Sequence, residues 1–332
     1  MRGLTKNIGK SNSTIKGDKE VTIKRILISR PNHRLGNLLL LSAIVQEVSD
    51  TFPNAKIDLF VKGTISPVIF KNYENIDRII QLPKKPFSNL LKYIKGWTLL
   101  RWKKYDLVIN TSHSSSSGKL STQFANADYK FFNEWNDELQ LQYPDYPHAA
   151  KNGIYNLRRF LTHLGLEENT GKVPYLNIKL DNNEIETGKI HLRKIIKNDQ
   201  KTICLFTNAT GDKCYSKDWW SSFYENLKSQ FPDYNIIELL PIENISKLDF
   251  SIPSFYSTDI REMGSFIANT SVFIAADNGV MHLSSAVGTP TIGLFAVTDE
   301  NAYKPYNGKS LSINTNHVNE SQISDLIKTV LQ

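Results

Sequence analysis

Cysteine is scarce in this chain of 332 residues, which contains only Cys204 and Cys214. Two thiols cannot form a disulfide framework, and their spacing matches no metal-ligand motif. The chain also lacks an apolar run of about 18 residues, the length that a membrane-spanning helix requires. Its amino-terminal residues are polar and do not contain the apolar core of a signal peptide. We therefore expect a cytoplasmic protein without a metal site.

Two nucleotide-binding motifs are absent as well. The chain contains no Gly-x-Gly-x-x-Gly, and no Gly-Lys-Ser/Thr has the upstream glycine of a phosphate-binding P-loop. These absences argue against dehydrogenases and P-loop enzymes. A composition of 40% hydrophobic and 22% charged residues is typical of a globular protein. The length exceeds that of one ordinary hydrophobic core and favours two domains.

Short apolar segments alternate with amphipathic ones along most of the chain. The first half predicts strands at residues 25–30, 57–61 and 107–109, and a helix at 38–48. The second half predicts strands at residues 202–207, 236–240 and 272–276, and helices at 217–230, 259–269 and 320–331. Such alternation implies parallel sheets covered on both faces. We expect a loose tail at residues 1–20, then two Rossmann-like domains at 21–185 and 186–332, with the crossover near 180–198.

The most informative segment spans residues 274–295 and reads IAADNGVMHLSSAVGTPTIGLF. It predicts a strand, a turn, a short helix and a second strand. In open α/β sheets, ligands bind where strands end and helices begin. Gly279 lets the backbone approach a phosphate at the helix N-terminus. The Asp277 carboxylate accepts hydrogen bonds from hydroxyls, and His282 donates to phosphate or sugar oxygens. Alternatively, Asp277 merely caps the helix and His282 lies in the core.

This segment resembles the donor-site signature of the heptosyltransferases, glycosyltransferase family 9. The family pattern is Asp, Ser/Thr, Gly, two variable residues, His and Leu, followed by a small-residue helix that ends in Gly-x-Pro. Asn278 stands where the family has a hydroxyl residue. The resemblance continues at Asn208–Gly211 and Lys217–Trp219, which look like the loop and helix start that bind the donor diphosphate.

The resemblance implies a GT-B fold, with two Rossmann-like domains facing a central cleft. It further implies inverting sugar transfer from a nucleotide-sugar donor such as ADP-heptose to a lipopolysaccharide or another envelope glycolipid. No Asp-x-Asp motif is present to hold a metal ion, so we expect protein groups to stabilise the leaving diphosphate and no cofactor to be needed. The residues assigned to donor binding are Thr210, Gly211, Lys217, Asp277, Asn278, Gly279 and His282.

On the acceptor side, the sequence departs from the family. Arg34-Leu35-Gly36-Asn37 resembles a loop in which an Asp, the proposed general base, follows the glycine. Here that position is Asn37, and an amide cannot take up a proton at neutral pH. His33 occupies an earlier position of the loop that is acidic in many members, and it is the candidate substitute base. Arg34 suits a phosphate or carboxylate on the acceptor. Asn110 replaces another usual Asp and completes the predicted acceptor site.

Residues 84–104 contain seven Lys or Arg residues and no acid, with aromatic residues such as Phe87 interleaved. On a helical wheel, Leu90, Leu91, Ile94, Trp97 and Thr98 gather on one side, and Lys92, Lys95 and Lys103 on the other. The segment is either a surface helix with a solvated basic face or a contact with an anionic membrane at the inner face of the inner membrane. Nucleic acid is a third interpretation, but no recognition motif accompanies the charge, so we expect no such partner.

Three functions remain open from the sequence. The chain is an active inverting glycosyltransferase, a catalytically silent GT-B protein that binds a nucleotide sugar or glycan, or a nucleotide-sugar epimerase. Asn37 motivates the second interpretation. Turnover with an acceptor separates the first two, and conversion of a nucleotide sugar without an acceptor indicates the third.

Overall fold

The structure, a computed structural model, describes residues 21–85 and 89–331. The predicted tail at residues 1–20 and Phe87 lie outside these ranges. The chain divides into two compact units, the first ending at Pro174 and the second starting at Tyr175. Each unit contains a wholly parallel sheet with helices between its strands, which confirms the predicted fold class. No helix of the described part of the chain is both long and apolar enough to cross a bilayer.

The first unit contains a five-stranded sheet of order β3-β2-β1-β4-β5. Its strands are β1 (Arg25–Arg30), β2 (Lys56–Lys62), β3 (Ile76–Leu82), β4 (Lys104–Asn110) and β5 (Asn126–Phe132). Its helices are α1 (Leu35–Thr51), α2 (Ser66–Ile69), α3 (Leu90–Trp102), α4 (Ser116–Phe124), α5 (Asp137–Gln142) and α6 (Asn152–His163). The chain proceeds outward from β1 to β3 and then returns to β4, so the strand order reverses between β1 and β4. The loops that follow these two strands are therefore neighbours.

A buried ion pair joins α1 to α6 in the first unit. Arg158 donates from Nε and Nη2 to the two carboxylate oxygens of Glu47, at 2.7 Å each. Its Nη1 donates to the carbonyl of Gly171, and Asn169 also donates to Glu47. Because every charged atom of the pair has a partner, the desolvation cost of burial is offset by charge-assisted hydrogen bonds.

The second unit contains a six-stranded sheet of order β11-β10-β9-β6-β7-β8. Its strands are β6 (Thr202–Phe206), β7 (Asn235–Leu240), β8 (Ser254–Tyr256), β9 (Val272–Ala276), β10 (Thr291–Phe295) and β11 (Leu311–Asn314). Its helices are α7 (Asn182–Ile195), α8 (Lys217–Gln230), α9 (Ile260–Ala268), α10 (Gly279–Ala286), α11 (Glu300–Tyr303) and α12 (Glu320–Leu331). Here the order reverses between β6 and β9, where fully buried apolar strands pair in parallel.

The predicted domain boundary after residue 185 falls inside α7, in the stretch interpreted as a crossover. This helix begins with a capping box between Asp181 and Glu184. Glu184 also accepts two hydrogen bonds from Arg261 on α9. Gly188 lies so close to α9 that an added Cβ would stand 2.1 Å from the Ser265 carbonyl oxygen. These contacts make α7 part of the second unit, so the structure divides the chain earlier than the composition shift indicated.

Candidate functional site

Three neighbouring strands of the second unit bring polar side chains together at Asp277. This residue follows the last residue of β9 and is only 5% exposed. From the loop after β6, Lys213 places Nζ 3.0 Å from Asp277 Oδ2. From the loop after β10, the Thr298 hydroxyl donates to the same oxygen at 2.8 Å. The cluster therefore lies where the strand order reverses, the usual position of a ligand site in such sheets.

His282 lies on α10 beneath this carboxylate and is 3% exposed. Its Nε2 is 4.0 Å from Asp277 Oδ1, and its Nδ1 has no hydrogen-bond partner among the described residues. Burial lowers the pKa of His282 to about 4; the Asp277 charge opposes this shift and the Lys213 charge adds to it. The imidazole is consequently neutral at pH 7. One ring nitrogen then donates and the other accepts, which suits a sugar hydroxyl or a phosphate oxygen.

Asn278 caps α10. Its Oδ1 accepts hydrogen bonds from the backbone N–H groups of Val280 at 2.7 Å and Met281 at 2.9 Å. Its Nδ2 donates to the Asn208 carbonyl in the loop after β6. The side chain thus performs the N-cap role of a hydroxyl residue. The backbone N–H groups of Val280 and Met281, at the helix N-terminus predicted to bind a phosphate, already donate to Asn278. Gly279 is the first residue of the helix.

The loop after β6 approaches Asp277 through a short 3₁₀ turn at Gly211–Lys213. Gly211 has a φ of +64°, a left-handed conformation that favours glycine. Thr210 precedes the turn and is exposed. Lys217 begins α8 beyond the turn, and its ammonium group forms an exposed ion pair with Asp249. The structure therefore brings Lys213, and not Lys217, to the Asp277 carboxylate.

In the first unit, the loops after β1 and β4 meet at a small cavity lined by Arg30, Asn37 and Thr111. Arg30 Nη2 donates to Asn37 Oδ1 at 3.0 Å. Asn110 is fully buried, and its amide donates to the Ser112 carbonyl at 3.1 Å. Asn110 therefore holds the turn after β4, whereas Asn37 borders the cavity.

Two exposed histidines lie at this edge of the first sheet. The Cβ of His33 lies 3.1 Å from where an added Cβ on Gly63, the residue after β2, would stand. Partial burial and the charges of Lys84, Arg34 and Lys62 lower the pKa of His33. The predicted acceptor residue Arg34 is exposed at the start of α1.

His113, which sequence reasoning did not single out, lies in the loop after β4. Its ring contacts Trp135 edge-on, with centroids 6.0 Å apart. Burial and the charges of Arg30 and Lys119 lower its pKa. Arg30 thus donates to Asn37, and its charge lowers the pKa of His113. His33 lies against Gly63, which follows β2.

Metal ligation has no visible basis in the part of the chain that the structure describes. No group of three or more His, Cys, Asp or Glu side chains converges there. Asp277, the acidic residue of the candidate site, is paired with Lys213 and Thr298. The positive charge in this site comes from an ammonium group.

Comparison with known proteins gives consistent matches. Residues 256–328, which include Asp277 and His282, match the model of glycosyltransferase family 9 (heptosyltransferase). The chain is 22% identical to lipopolysaccharide heptosyltransferase 3 of Escherichia coli over 302 residues, which cover 83% of this chain and 85% of the relative. The chain is similar to the heptosyltransferases of glycosyltransferase family 9.

Solved structures agree on the fold. A family 9 glycosyltransferase from Veillonella parvula matches with a TM-score of 0.74 and 14% identity, over 94% of this chain and 98% of that chain. The E. coli heptosyltransferase WaaC with ADP matches with a TM-score of 0.66 and 16% identity, over 92% of this chain and 99% of that chain. At such low identity these neighbours support the GT-B fold and leave the substrates to be argued from the chain's own residues.

Proposed function

We propose that this protein is a family 9 glycosyltransferase that transfers a heptose-like sugar, with inversion and without a metal ion, from a nucleoside-diphosphate donor to an envelope glycolipid. One observation carries the proposal: Lys213, Thr298 and His282 surround Asp277 at the point where the second sheet reverses its strand order. This cluster lies mostly within the segment that the family model matches. The name of the E. coli relative supports lipopolysaccharide as the acceptor class, and the ADP bound to WaaC supports an ADP-sugar donor.

The donor half of the reaction needs positive charge near the departing diphosphate. Lys213 is suited to this role because its side chain is 30% exposed while Asp277 holds its ammonium group at 3.0 Å. This prepositioned charge stabilises a donor phosphate that approaches from solvent, without a metal ion. Neutral His282, buried beside Asp277, contributes hydrogen bonds to the donor and carries no charge that would repel Lys213.

The acceptor hydroxyl needs a group that removes its proton. Asn37 cannot do this, so we assign the task to His113, which lies in the loop after β4 against Trp135. Its lowered pKa keeps the imidazole unprotonated at neutral pH. His33, the candidate base from the family resemblance, lies in the loop after β1 and also has a lowered pKa, so it is the alternative base. In His113→Gln, turnover should fall by about a hundredfold or more with unchanged donor affinity. The control His33→Gln should retain turnover. The reverse pattern would identify His33 as the base.

The test of function is release of nucleotide from ADP-heptose in the presence of heptose-deficient lipopolysaccharide, with and without a chelator. Acceptor-dependent release that a chelator does not affect supports the proposal. Loss of activity in the chelator would refute the metal-free mechanism. Donor binding without turnover on any acceptor would favour a silent binding protein, and conversion of the donor without an acceptor would favour an epimerase. Because a glycolipid acceptor resides in a bilayer, we also propose that the protein works at the cytoplasmic face of the inner membrane.

A further inference from the structure

Helix α3 of the first unit packs on the sheet through one face only. Gly96 and Leu100 are buried there, and an added Cβ on Gly96 would stand 2.5 Å from the Leu82 side chain. Tyr93 and Trp97 pack against the same cluster from the edge of this face. The wheel drawn from the sequence grouped Trp97 with Leu90, Leu91 and Ile94, but in the structure Trp97 is half-buried and those three are exposed.

The outer face of α3 is apolar to an unusual degree for a surface. Leu91 and Trp102 are each 83% exposed, Leu90 is 52% exposed and Ile94 is 50% exposed. On the neighbouring helix α4, Phe124 is 44% exposed and contacts Trp97 edge-on. Large apolar side chains clustered on a surface mark an interaction site.

Charge identifies the partner. Lys92, Lys95 and Arg101 are exposed on the same helix, and Lys104 follows it. The described residues of the segment 84–104 include no acid, so the charged side chains of α3 itself are all basic. A helix that combines exposed apolar and aromatic side chains with basic ones is suited to the interface of a bilayer with anionic headgroups. A protein partner of ordinary composition would not require this one-sided charge.

We propose that the outer face of α3, formed by Leu90, Leu91, Lys92, Ile94, Lys95, Arg101 and Trp102, binds the surface of an anionic phospholipid bilayer. The apolar side chains enter the headgroup region, and the basic side chains contact lipid phosphates. Exposed Trp102 occupies the amphipathic boundary that tryptophan prefers. This surface is independent of the sugar-transfer proposal, because it includes no residue of the donor or acceptor sites.

The test uses the full chain with vesicles of phosphatidylcholine alone or mixed with phosphatidylglycerol. We expect sedimentation with the mixed vesicles only, weakening as salt is raised. Lys92→Gln/Lys95→Gln should bind roughly fivefold more weakly per lysine, and Leu91→Ser about tenfold more weakly. Two matched controls should bind like the unaltered chain: Lys194→Gln/Lys197→Gln, exposed at the end of α7 and beyond it, and Leu141→Ser, 88% exposed on α5.

Several outcomes would overturn the proposal. Equal loss in the controls would show that total charge, and not this face, governs binding. Binding to single-stranded DNA that survives Leu91→Ser would indicate a polyanion site. A dimer that Leu91→Ser dissociates would show that a second copy covers α3. Lys213→Met should leave vesicle binding unchanged, so failure of the transfer reaction and failure of membrane binding are separately visible.

Discussion

Acidification should destabilise the second unit through His282 by a predictable amount. The folded state lowers the pKa of this side chain from 6.5 to about 4, chiefly through burial. Below pH 6.5 the unfolded chain takes up a proton that the folded chain does not, so stability falls as pH drops from 6.5 toward 4. One pKa unit corresponds to about 1.4 kcal/mol. At about pH 5.5, one unit below the unfolded value, His282 should therefore cost the folded state about 1.4 kcal/mol.

The assay compares urea unfolding of the unaltered chain and His282→Gln at about pH 7.5 and about pH 5.5. Two-unit proteins need not unfold in one step, so the signal should come from the second unit alone. Trp219 and Trp220 on α8 supply it once Trp97, Trp102 and Trp135 are replaced by phenylalanine.

Glutamine does not titrate, so the chain with histidine should lose about 1.4 kcal/mol more than the variant over this interval. Any direct effect of the substitution on packing enters at both pH values and cancels in this comparison. Equal losses in the two proteins would refute the buried neutral state. So would a histidine titration near pH 6.5 assigned to His282 by NMR.

Three other predictions test the donor site and the packing within each unit. Lys213→Met should reduce turnover about a hundredfold, while Lys217→Met should change it less than about threefold, because, of the two lysines, only Lys213 lies at Asp277. The measurement is the initial rate with saturating acceptor. Equal losses in the two variants would contradict the assignment. Arg158→Met should cost about 3–5 kcal/mol in urea unfolding of the first unit, since it strands a buried carboxylate; a loss below about 1 kcal/mol would show that the pair is not buried in solution. Gly188→Ala should destabilise the second unit by about 1–3 kcal/mol despite the higher helix propensity of alanine. Gly153→Ala should be close to neutral, because its added Cβ would make only ordinary van der Waals contacts. A stabilised Gly188→Ala would disprove the close approach of α7 and α9.

The sequence predicted the central strands well because both of their faces are buried. Strands β1, β6 and β9 are runs of apolar residues, and their predicted bounds agree with the observed ones to within a residue. Edge strands were missed since they are partly solvated. Strand β3 has only two buried residues among its seven, and β8 is three residues long with no buried residue.

The candidate site shows a sharper limit of sequence reasoning. Asp277 and His282 share one short segment, so their spacing alone placed them together. Lys213 and Thr298 lie on other segments and reach Asp277 only because β6 and β10 both pair with β9. Strand order is not encoded in any local pattern. Family spacing directed attention to Lys217, whereas a 3₁₀ turn made possible by Gly211 delivers Lys213.

The two asparagines that depart from the family pattern have opposite chemical consequences. At Asn278 the family position needs an oxygen that accepts backbone hydrogen bonds, and an amide supplies one as well as a hydroxyl does. At Asn37 the resemblance implies a group that gains a proton, and an amide accepts the hydrogen bond from Arg30 without gaining one. We therefore expect donor binding and turnover to be separable in this chain. Calorimetric affinity for ADP-heptose should depend on Lys213 and be indifferent to Asn37→Asp, whereas that substitution should raise turnover only if no histidine already serves as the base.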